Sequence, residues 1–312
     1  MKVSTQKALT VIFGILSFPF FAAGTFNGKA ALKMEKMPNL EAFLAPAVAA
    51  EIPTSYPYEA VKAQVILLRS RCYEKLDQGT ALGTVIGELI QSEELSETEN
   101  TEMDRMCAMA VGETENLVLK YGGKTVNGPF FRTGNGMTRS GRDLFQNDQY
   151  PWLVNVESPW DIDSEEYMNS ISFSPEKFAE TLEQQEEGSA EKIWGLGYQE
   201  MLLEGTLSAE GMAESIQITG TDQAGYVTEI SVGDVVFAGE SFRKIMDLPS
   251  ACFSVQVVDE KLRFLCKGLG HGAGLSQTGA AAMAEEGKDA LEILQYYFPQ
   301  ATVEERYRVN GS

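Results

Sequence analysis

Residues 268–284 read GLGHGAGLSQTGAAAMA, and the fold of this chain is organised around them. A glycine stands at every second position from Gly268 to Gly274, and between them lies the single histidine of the chain, His271. Because glycine has no Cβ, this backbone can take positive φ angles and let another surface approach closely. Apolar residues before the turn predict a strand, and small residues after Ser276 predict a helix. The free N–H groups at the start of that helix would face the turn, which predicts a ligand site there.

The glycine turn has other interpretations. A strand, a glycine-rich turn and a helix also make a nucleotide-binding loop, but the required G-x-G-x-x-G fails here. Counting from Gly268 its last position is Ala273, and counting from Gly270 it is Leu275. The lysine of a phosphate-binding G-K-[ST] loop is absent as well. A nucleotide-binding enzyme is therefore disfavoured, and the remaining alternative is a buried turn whose histidine bonds only to backbone.

Length and charge bound the class of protein. A chain of 312 residues with 44% hydrophobic content can bury one large core or two smaller ones. Its formal charge is −20, and such a surface repels phosphate backbones, which argues against nucleic acid as a partner. Predicted helices and strands are intermixed and show no internal repeat. We therefore expect a mixed α/β (α+β) fold in which helices and antiparallel strands form a single cleft.

The N-terminus resembles a secretory signal or a short membrane anchor. Lys2 and Lys7 precede an apolar run without charge until Lys29. Pro19 and the small residues that follow it favour cleavage, whereas the family resemblance given below favours a retained anchor helix. We predict a signal or anchor at 1–26, a linker at 27–38, a domain of one or two lobes at 39–303 and a tail at 304–312. The domain is expected outside the cytoplasm, at the cell membrane or secreted.

Periodicity and turn residues predict the elements of the domain. A helix is expected from Tyr58 to about Leu76, with Pro57 suited to its first turn. Within it Ala60, Ala63, Gln64 and Leu67 share one face, which holds the glutamine against the core. Residues 78–102 are polar and acidic and indicate a surface excursion, while residues 183–212 show no clear period. The remaining predicted elements are helices at 102–112, 175–182 and 239–247, hairpins at 117–126 and 253–266, a strand at 151–156, a β-meander at 215–237 and two closing helices.

Glu51 is the first candidate for catalysis outside the glycine turn. It follows three small apolar residues, 48–50, and Pro53 disfavours helix at the residue before it. A carboxylate in this setting is partly desolvated, and desolvation raises its pKa toward the value that a general acid for glycosidic cleavage needs. The alternative is a solvated or helix-capping glutamate.

Residues 48–64, VAAEIPTSYPYEAVKAQ, and the glycine stretch together resemble the stage II sporulation protein D family (SpoIID). The first segment is similar to the family pattern VAAEMPxSFPxEALKAQA. The second is similar to GxGHGxGxSQxGAxxMAxxG followed by EILxYYF. Both motifs stand in the order of the family, and the resemblance covers roughly residues 38–300, including SPWD at 158–161 and PSACF at 249–253.

The resemblance implies a membrane-anchored lytic transglycosylase of endospore-forming bacteria, active in septal thinning and engulfment. Such enzymes cut the β-1,4 bond between N-acetylmuramic acid and N-acetylglucosamine in peptidoglycan strands free of stem peptides, and they leave 1,6-anhydro ends. By this resemblance Glu51 is the catalytic acid/base. It protonates the leaving oxygen and then, as a carboxylate, takes the proton of the C6 hydroxyl while that oxygen closes on C1. One carboxylate suffices because no water attacks.

The same motif positions imply further residues around the sugar. The implied substrate-binding residues are Gln64, Arg69, His271, Ser276 and Gln277, and His271 has the alternative role of holding Glu51 by a hydrogen bond.

One loop departs from the family. Where the family has FHSTSGG or FHSTCGG and some members bind zinc, residues 130–136 read FFRTGNG, without His or Cys. We therefore expect no metal and no other cofactor.

The resemblance also implies partners. They are peptidoglycan glycan strands, membrane proteins of the engulfment machinery and an amidase that supplies denuded strands. A second class of function is a non-catalytic wall-binding protein that enhances an amidase, as related proteins of the superfamily are described. The presence of Glu51 favours the enzyme, and the altered 130–136 loop gives the binding protein some weight. The enzyme requires Glu51 and the bend at His271 to meet in one saccharide cleft.

The cysteines do not indicate a metal site. Cys72, Cys107, Cys252 and Cys266 show no C-x-x-C spacing. Cys252 and Cys266 flank a predicted hairpin, so a disulfide between them is open, but buried free thiols are favoured.

Overall fold

The computed structural model describes residues 39–91, 101–185 and 189–306. The chain divides into two units after Phe43. The described part of the first unit, residues 39–43, is a turn that enters a helix. The predicted anchor at 1–26 and the linker at 27–38 lie outside the described residues. In the described ranges, no helix has both the length and the apolar character to cross a membrane.

Helices and strands are intermixed along the chain, which is the predicted mixed α/β fold. The helices are α1 (Glu41–Glu51), α2 (Tyr58–Asp77), α3 (Leu82–Gln91), α4 (Thr101–Glu113), α5 (Gly141–Phe145), α6 (Pro175–Gln185), α7 (Ser189–Trp194), α8 (Tyr198–Leu203), α9 (Ala209–Ser215), α10 (Gly239–Ile245), α11 (Gln277–Glu285) and α12 (Ala290–Tyr297). The strands are β1 (Leu117–Tyr121), β2 (Lys124–Thr125), β3 (Phe130–Phe131), β4 (Met168–Phe173), β5 (Ile216–Thr221), β6 (Val227–Val232), β7 (Val235–Ala238), β8 (Phe253–Val258), β9 (Lys261–Lys267), β10 (Leu275–Ser276) and β11 (Thr302–Glu305).

Helix α2 lies at the centre of the first core. Its middle turns, from Ala63 to Ser70, are buried on every face, as expected for a helix that is apolar nearly all round. Ile66 and Leu67 belong to one buried cluster with Ile293 of α12. The antiparallel sheet β11–β1–β2 adds Leu119 to this cluster. Full burial of each such side chain contributes about 1.5–3 kcal/mol, so the packing around α2 holds the N- and C-terminal parts of the domain together.

A second core lies between the sheets β4–β9–β8 and β5–β6–β7 and the helices around them. Phe178, Phe242 and Phe264 are fully buried in it. The ring of Phe264 lies 6.0 Å from each of the other two rings, within the range of favourable aromatic contact. Because Phe242 is a residue of α10, this contact fixes the helix whose last turn carries Arg243 and Lys244.

The glycine turn leads from β9 in the second core to α11 in the first. Within it β10 pairs in parallel with β3, with Leu275 opposite Phe130, and neither of these two short strands was predicted. The strands of the other three sheets pair antiparallel, as predicted. Gly274 has φ +83°, and a Cβ on it would lie 2.0 Å from the carbonyl oxygen of Pro129. A side chain at this position would therefore push the two strands apart.

Most of the predicted elements are present, including α2, α4, both hairpins, the meander β5–β6–β7 and the two closing helices. The strand predicted at 151–156 is wrong. These residues form a turn and an extended segment, and Val156 bonds to Thr138 through the Val156 N–H and C=O instead of joining a sheet. Strand β4 was not predicted, the segment after residue 78 contains helix α3, and residues 183–212 form short helices in their described part. The predicted start of the tail at 304 falls inside strand β11.

All four cysteines of the sequence are buried, and none of them forms a disulfide. Phe253 stands opposite Cys266 in the β8–β9 pair, and Cys252 precedes that strand. Burial raises the pKa of the Cys266 thiol to about 11 and raises that of Cys252 as well. Both therefore behave as small apolar side chains at neutral pH.

Candidate active site

Glu51 and His271 line one cleft of about 510 Å³, a size within the usual range of ligand sites. The segment after β2 contributes Asn127, Pro129 and Phe130, and α10, which packs in the second core through Phe242, contributes three polar residues. The lining residues are Glu51, Arg71, Asn127, Pro129, Phe130, Leu144, Phe145, Glu240, Arg243, Lys244 and His271. The cleft is thus lined by elements that pack on both cores.

Glu51 is the last residue of α1, two residues before Pro53. The backbone carbonyl of Glu51 accepts a hydrogen bond of 3.2 Å from Nε2 of Gln277, the first residue of α11. Its carboxylate accepts hydrogen bonds from Nε2 of Gln64 at 3.5 Å and from a guanidinium nitrogen of Arg71 at 3.4 Å. Residues from both sequence motifs therefore hold this glutamate in place.

Burial raises the pKa of the Glu51 carboxyl above its usual value, while the charge of Arg71 and the hydrogen bonds from Arg71 and Gln64 lower it in part. The side chain is 17% exposed, so it is partly desolvated and still open to the cleft. The Arg71 guanidinium also lies 5.8 Å from the Phe130 ring centroid, in a cation–π position. This environment suits a carboxyl group that must carry a proton and then release it.

Gln64 is buried on α2, in agreement with its predicted position against the core. Its Nε2 donates to Glu51, and its Oε1 is buried without a hydrogen-bond partner in the described part of the chain. A buried acceptor without a partner is costly, so this amide is held for a reason other than packing. Its orientation of the Glu51 carboxylate supplies that reason.

His271 is held by its own turn. Its Nδ1 accepts a hydrogen bond of 3.1 Å from the N–H of Ala273, which leaves the ring proton on Nε2. Burial and the nearby charges of Arg243 and Arg139 lower the pKa of His271 to about 4, although a hydrogen bond with the Phe130 backbone opposes them. The imidazole is therefore neutral near pH 7. Of the described residues, Gln64 and Arg71 make the side-chain hydrogen bonds to Glu51, and His271 makes none.

A buried ion cluster supports this turn. Arg139 is almost fully buried and pairs with Asp222 at 2.6 Å and with Glu240 at 2.5 Å. Its backbone N–H donates to the Gly272 carbonyl at 2.7 Å, and its guanidinium donates to the His271 carbonyl at 3.3 Å. Breaking such a buried pair by removing one partner typically costs about 3–5 kcal/mol. The cluster therefore holds both the glycine turn and the Glu240 side of the cleft in position.

The structure places two of the predicted substrate-binding residues in the interior. Arg69 is fully buried and donates hydrogen bonds to the carbonyl oxygens of Val111 and Thr114, which ties α2 to the end of α4. Ser276 is also fully buried, caps α11 through the N–H of Gly279 and donates to the buried carboxylate of Asp161. Neither residue lines the cleft. Gln277 is 4% exposed and reaches the site through its bond to Glu51.

Sequence reasoning missed several lining residues. Arg71 lies two positions beyond Arg69, and the helical period from Gln64 is the signal that finds it. The α10 residues Glu240, Arg243 and Lys244 carry no motif, and only tertiary packing brings them to the cleft. The loop at 130–136 contributes Phe130, while its Arg132 approaches Glu166 at 3.5 Å.

Comparisons with known proteins find relatives over the first motif and over most of the chain. The family model described as SpoIID, Stage II sporulation protein, matches residues 28–121. Stage II sporulation protein D of Bacillus subtilis (strain 168) is 26% identical over 317 positions, covering 97% of this chain and 83% of that protein. Its counterpart in Bacillus amyloliquefaciens is 25% identical, covering 87% of this chain and 76% of that protein. The Amidase enhancer of Bacillus subtilis (strain 168) is 24% identical over 81% of this chain but only 39% of that protein.

Proposed function

Since this chain is a member of the stage II sporulation protein D family, we propose that it is a lytic transglycosylase of peptidoglycan. The bond cut is the β-1,4 bond between N-acetylmuramic acid and N-acetylglucosamine in strands free of stem peptides, and the product has a 1,6-anhydro end. The observation that carries the proposal is the partly buried carboxyl of Glu51, which has a raised pKa and shares a cleft with His271.

The proposed reaction needs one group that acts first as an acid and then as a base. Protonated Glu51 gives its proton to the glycosidic oxygen as the bond to C1 breaks. The resulting carboxylate, stabilised by Arg71 and Gln64, takes the proton of the C6 hydroxyl as the C6 oxygen bonds to C1. Atoms balance without water, so a second catalytic carboxylate is not required. The other lining carboxylate, Glu240, is already paired with Arg139 and Arg243.

The decisive experiment is digestion of purified glycan strands by the wild type and by Glu51→Gln. We expect wild type to generate 1,6-anhydro ends and Glu51→Gln to lose about 10²–10⁴-fold in rate, the usual contribution of a positioned acid/base. The control is Glu292→Gln, a solvent-exposed glutamate in an i,i+4 pair with Lys288, which should retain activity. Equal rates for wild type and Glu51→Gln at equal thermal stability would reject the catalytic role.

A second candidate is a non-catalytic wall-binding protein that stimulates an amidase. The relative named Amidase enhancer favours it. In that case the protein would bind the strands, create no anhydro ends and raise the rate of a cell-wall amidase in a reconstituted digestion. Anhydro ends that depend on Glu51 would exclude it.

For the cellular role, we propose action in septal wall thinning and engulfment, which is supported by relatives named for stage II of sporulation. Residues 1–26 would hold the domain at the outer face of the membrane, beside membrane partners and the amidase that supplies stripped strands. The test is protease treatment of intact protoplasts. A protected domain would contradict this location.

A further inference from the structure

The charges around the cleft balance with one exception. Glu51 lies 3.4 Å from Arg71, so these two lining charges offset each other when the carboxyl is ionised. Glu240 pairs with Arg139 and also lies 3.3 Å from Arg243. Since Arg139 pairs in turn with Asp222, this cluster holds two acids and two arginines and has no net charge.

Lys244 is the exception. It lines the cleft from the last turn of α10 and is exposed. Its side-chain ammonium makes no ion pair or hydrogen bond with any residue in the ranges that the structure describes. His271 adds no charge, because its lowered pKa of about 4 keeps the imidazole neutral near pH 7. A cleft in a chain of formal charge −20 thus has an unbalanced positive charge at Lys244.

We propose that Lys244 forms an anion-binding subsite that takes the free lactyl carboxylate of N-acetylmuramic acid. This subsite rests on the proposed function, because it assumes that the cleft holds a muramic acid residue. N-acetylglucosamine carries no charge, so an acidic group on the strand comes from muramic acid. The lysine ammonium is a compact charge with three donors on a flexible stem, which suits a carboxylate whose position varies.

The subsite supplies a chemical reason for selecting strands without stem peptides. When a peptide is attached, the lactyl carbonyl is an amide and has no charge. Removal of the peptide by an amidase leaves a carboxylate, and the same position then attracts Lys244. A partly exposed charge pair contributes about 0.2–1 kcal/mol, which corresponds to an affinity change of about 1.4- to 5-fold per muramic acid bound.

The experiment compares two forms of the same glycan strands, from which phosphate-bearing groups have been removed so that they add no charge. One form keeps its lactyl carboxylates, and in the other these carboxylates are converted to methylamides. Binding is measured by calorimetry with a parent protein, Glu51→Gln/Arg71→Gln, which leaves the strands uncut and does not leave Arg71 as a second unpaired cation in the cleft. The same measurement is made with the parent carrying Lys244→Gln in addition. The matched control is the parent carrying Lys261→Gln instead, because Lys261 is exposed at the β8–β9 turn and does not line the cleft. Thermal unfolding checks that all variants are folded.

We expect the parent to bind the carboxylate strands about 1.4- to 5-fold more tightly than the methylamide strands at low salt, and less so at high salt. Lys244→Gln should remove this preference and Lys261→Gln should keep it. A preference that survives Lys244→Gln, or equal binding of both strands by the parent, would overturn the subsite alone. Binding of neither strand would overturn the proposed function and the subsite together.

Discussion

Two arginines on α2 lie two residues apart and have different surroundings. Successive helical residues are about 100° apart around the axis, so Arg71, seven residues after Gln64, points to the face of that glutamine. Arg69, five residues after it, points well away and is bonded to carbonyl oxygens in the interior. A motif match alone predicts Arg69 as the site residue, whereas the helical period predicts that Arg71 lies on the same face as Gln64.

The role of Arg71 is testable through pH dependence. Its charge lowers the pKa of Glu51, so Arg71→Gln should raise that pKa further. Because the proposed reaction starts from protonated Glu51, activity should fall as pH rises through this pKa. The alkaline limb of the pH profile of kcat/KM should therefore move to higher pH by about one unit. This is the low end of the pKa shift that a close opposite charge causes.

The control for this measurement is Arg142→Gln, whose side chain is 79% exposed and pairs with Asp148. It should leave the limb in place. A limb that stays unchanged in Arg71→Gln, or moves to lower pH, would show that Arg71 does not tune the acid.

Ser276 is expected to act through stability. Ser276→Ala removes the α11 cap and the hydrogen bond to Asp161, and a lost cap alone costs about 0.5–2 kcal/mol. We expect a lower free energy of unfolding in urea and a nearly unchanged KM. The matched variant is Ser208→Ala, which removes the α9 cap at Gly211 and should cost less. Unchanged stability with a raised KM would return Ser276 to the role of a substrate contact.

At the scale of elements, sequence patterns predict the pieces whose signals are local. Helix α2 has a proline before its first turn, and the hairpins have turn residues between alternating apolar positions. Residues 151–156 look like a strand by composition, but Thr138 supplies the partner groups that a sheet would otherwise offer. Strand β4 has little apolar alternation of its own and is a strand because β9 pairs with it. Such pairing is a tertiary effect.

The glycine turn gives a prediction about one element. Gly274→Ala combines a left-handed φ with a Cβ in contact with the Pro129 carbonyl, so we expect a loss of about 2–5 kcal/mol from strain and overpacking. Gly287 has φ +90° and open space within 4 Å of the position that a Cβ would take, so Gly287→Ala should cost only the strain, about 1–2 kcal/mol. Urea unfolding of both variants measures the difference. Equal losses would mean that β3 and β10 tolerate separation.

At the scale of the whole molecule, two buried groups have opposite effects on how the stability of the fold changes with pH. Burial raises the pKa of Asp161 to about 6, against hydrogen bonds from Ser276 and Ser158. Folded Asp161 therefore binds its proton more tightly than unfolded Asp161, and its stabilising contribution is lost as pH rises from about 4 to 6. His271, with its pKa lowered to about 4, has the opposite sign, and its contribution is lost as pH falls from about 6.5 to 4.

Single variants should separate these contributions. In Asp161→Asn, the free energy of unfolding should rise with pH between 4 and 6.5 more steeply than in wild type, by about 3 kcal/mol over the window. In His271→Gln it should fall with pH relative to wild type by a similar amount. Denaturant unfolding at several pH values measures both. Parallel pH profiles for wild type and either variant would contradict the assignment for that residue.

The composition of the cleft marks the limit of prediction from sequence. Glu51, Gln64, His271 and Gln277 belong to the two motifs, so the sequence alone indicates them as candidates for one site. Glu240, Arg243 and Lys244 reach the same place only because the second core, through Phe242, carries α10 there. No local pattern in residues 239–245 encodes that position.

The lone imidazole of this chain has a practical consequence. After selective isotope labelling of histidine, the protein gives a single set of ring resonances, and all of them come from the cleft wall. No assignment experiment is needed to interpret their chemical shifts. Nuclear magnetic resonance can therefore test whether a saccharide enters this cleft, in a molecule of 34.2 kDa, from the resonances of one residue.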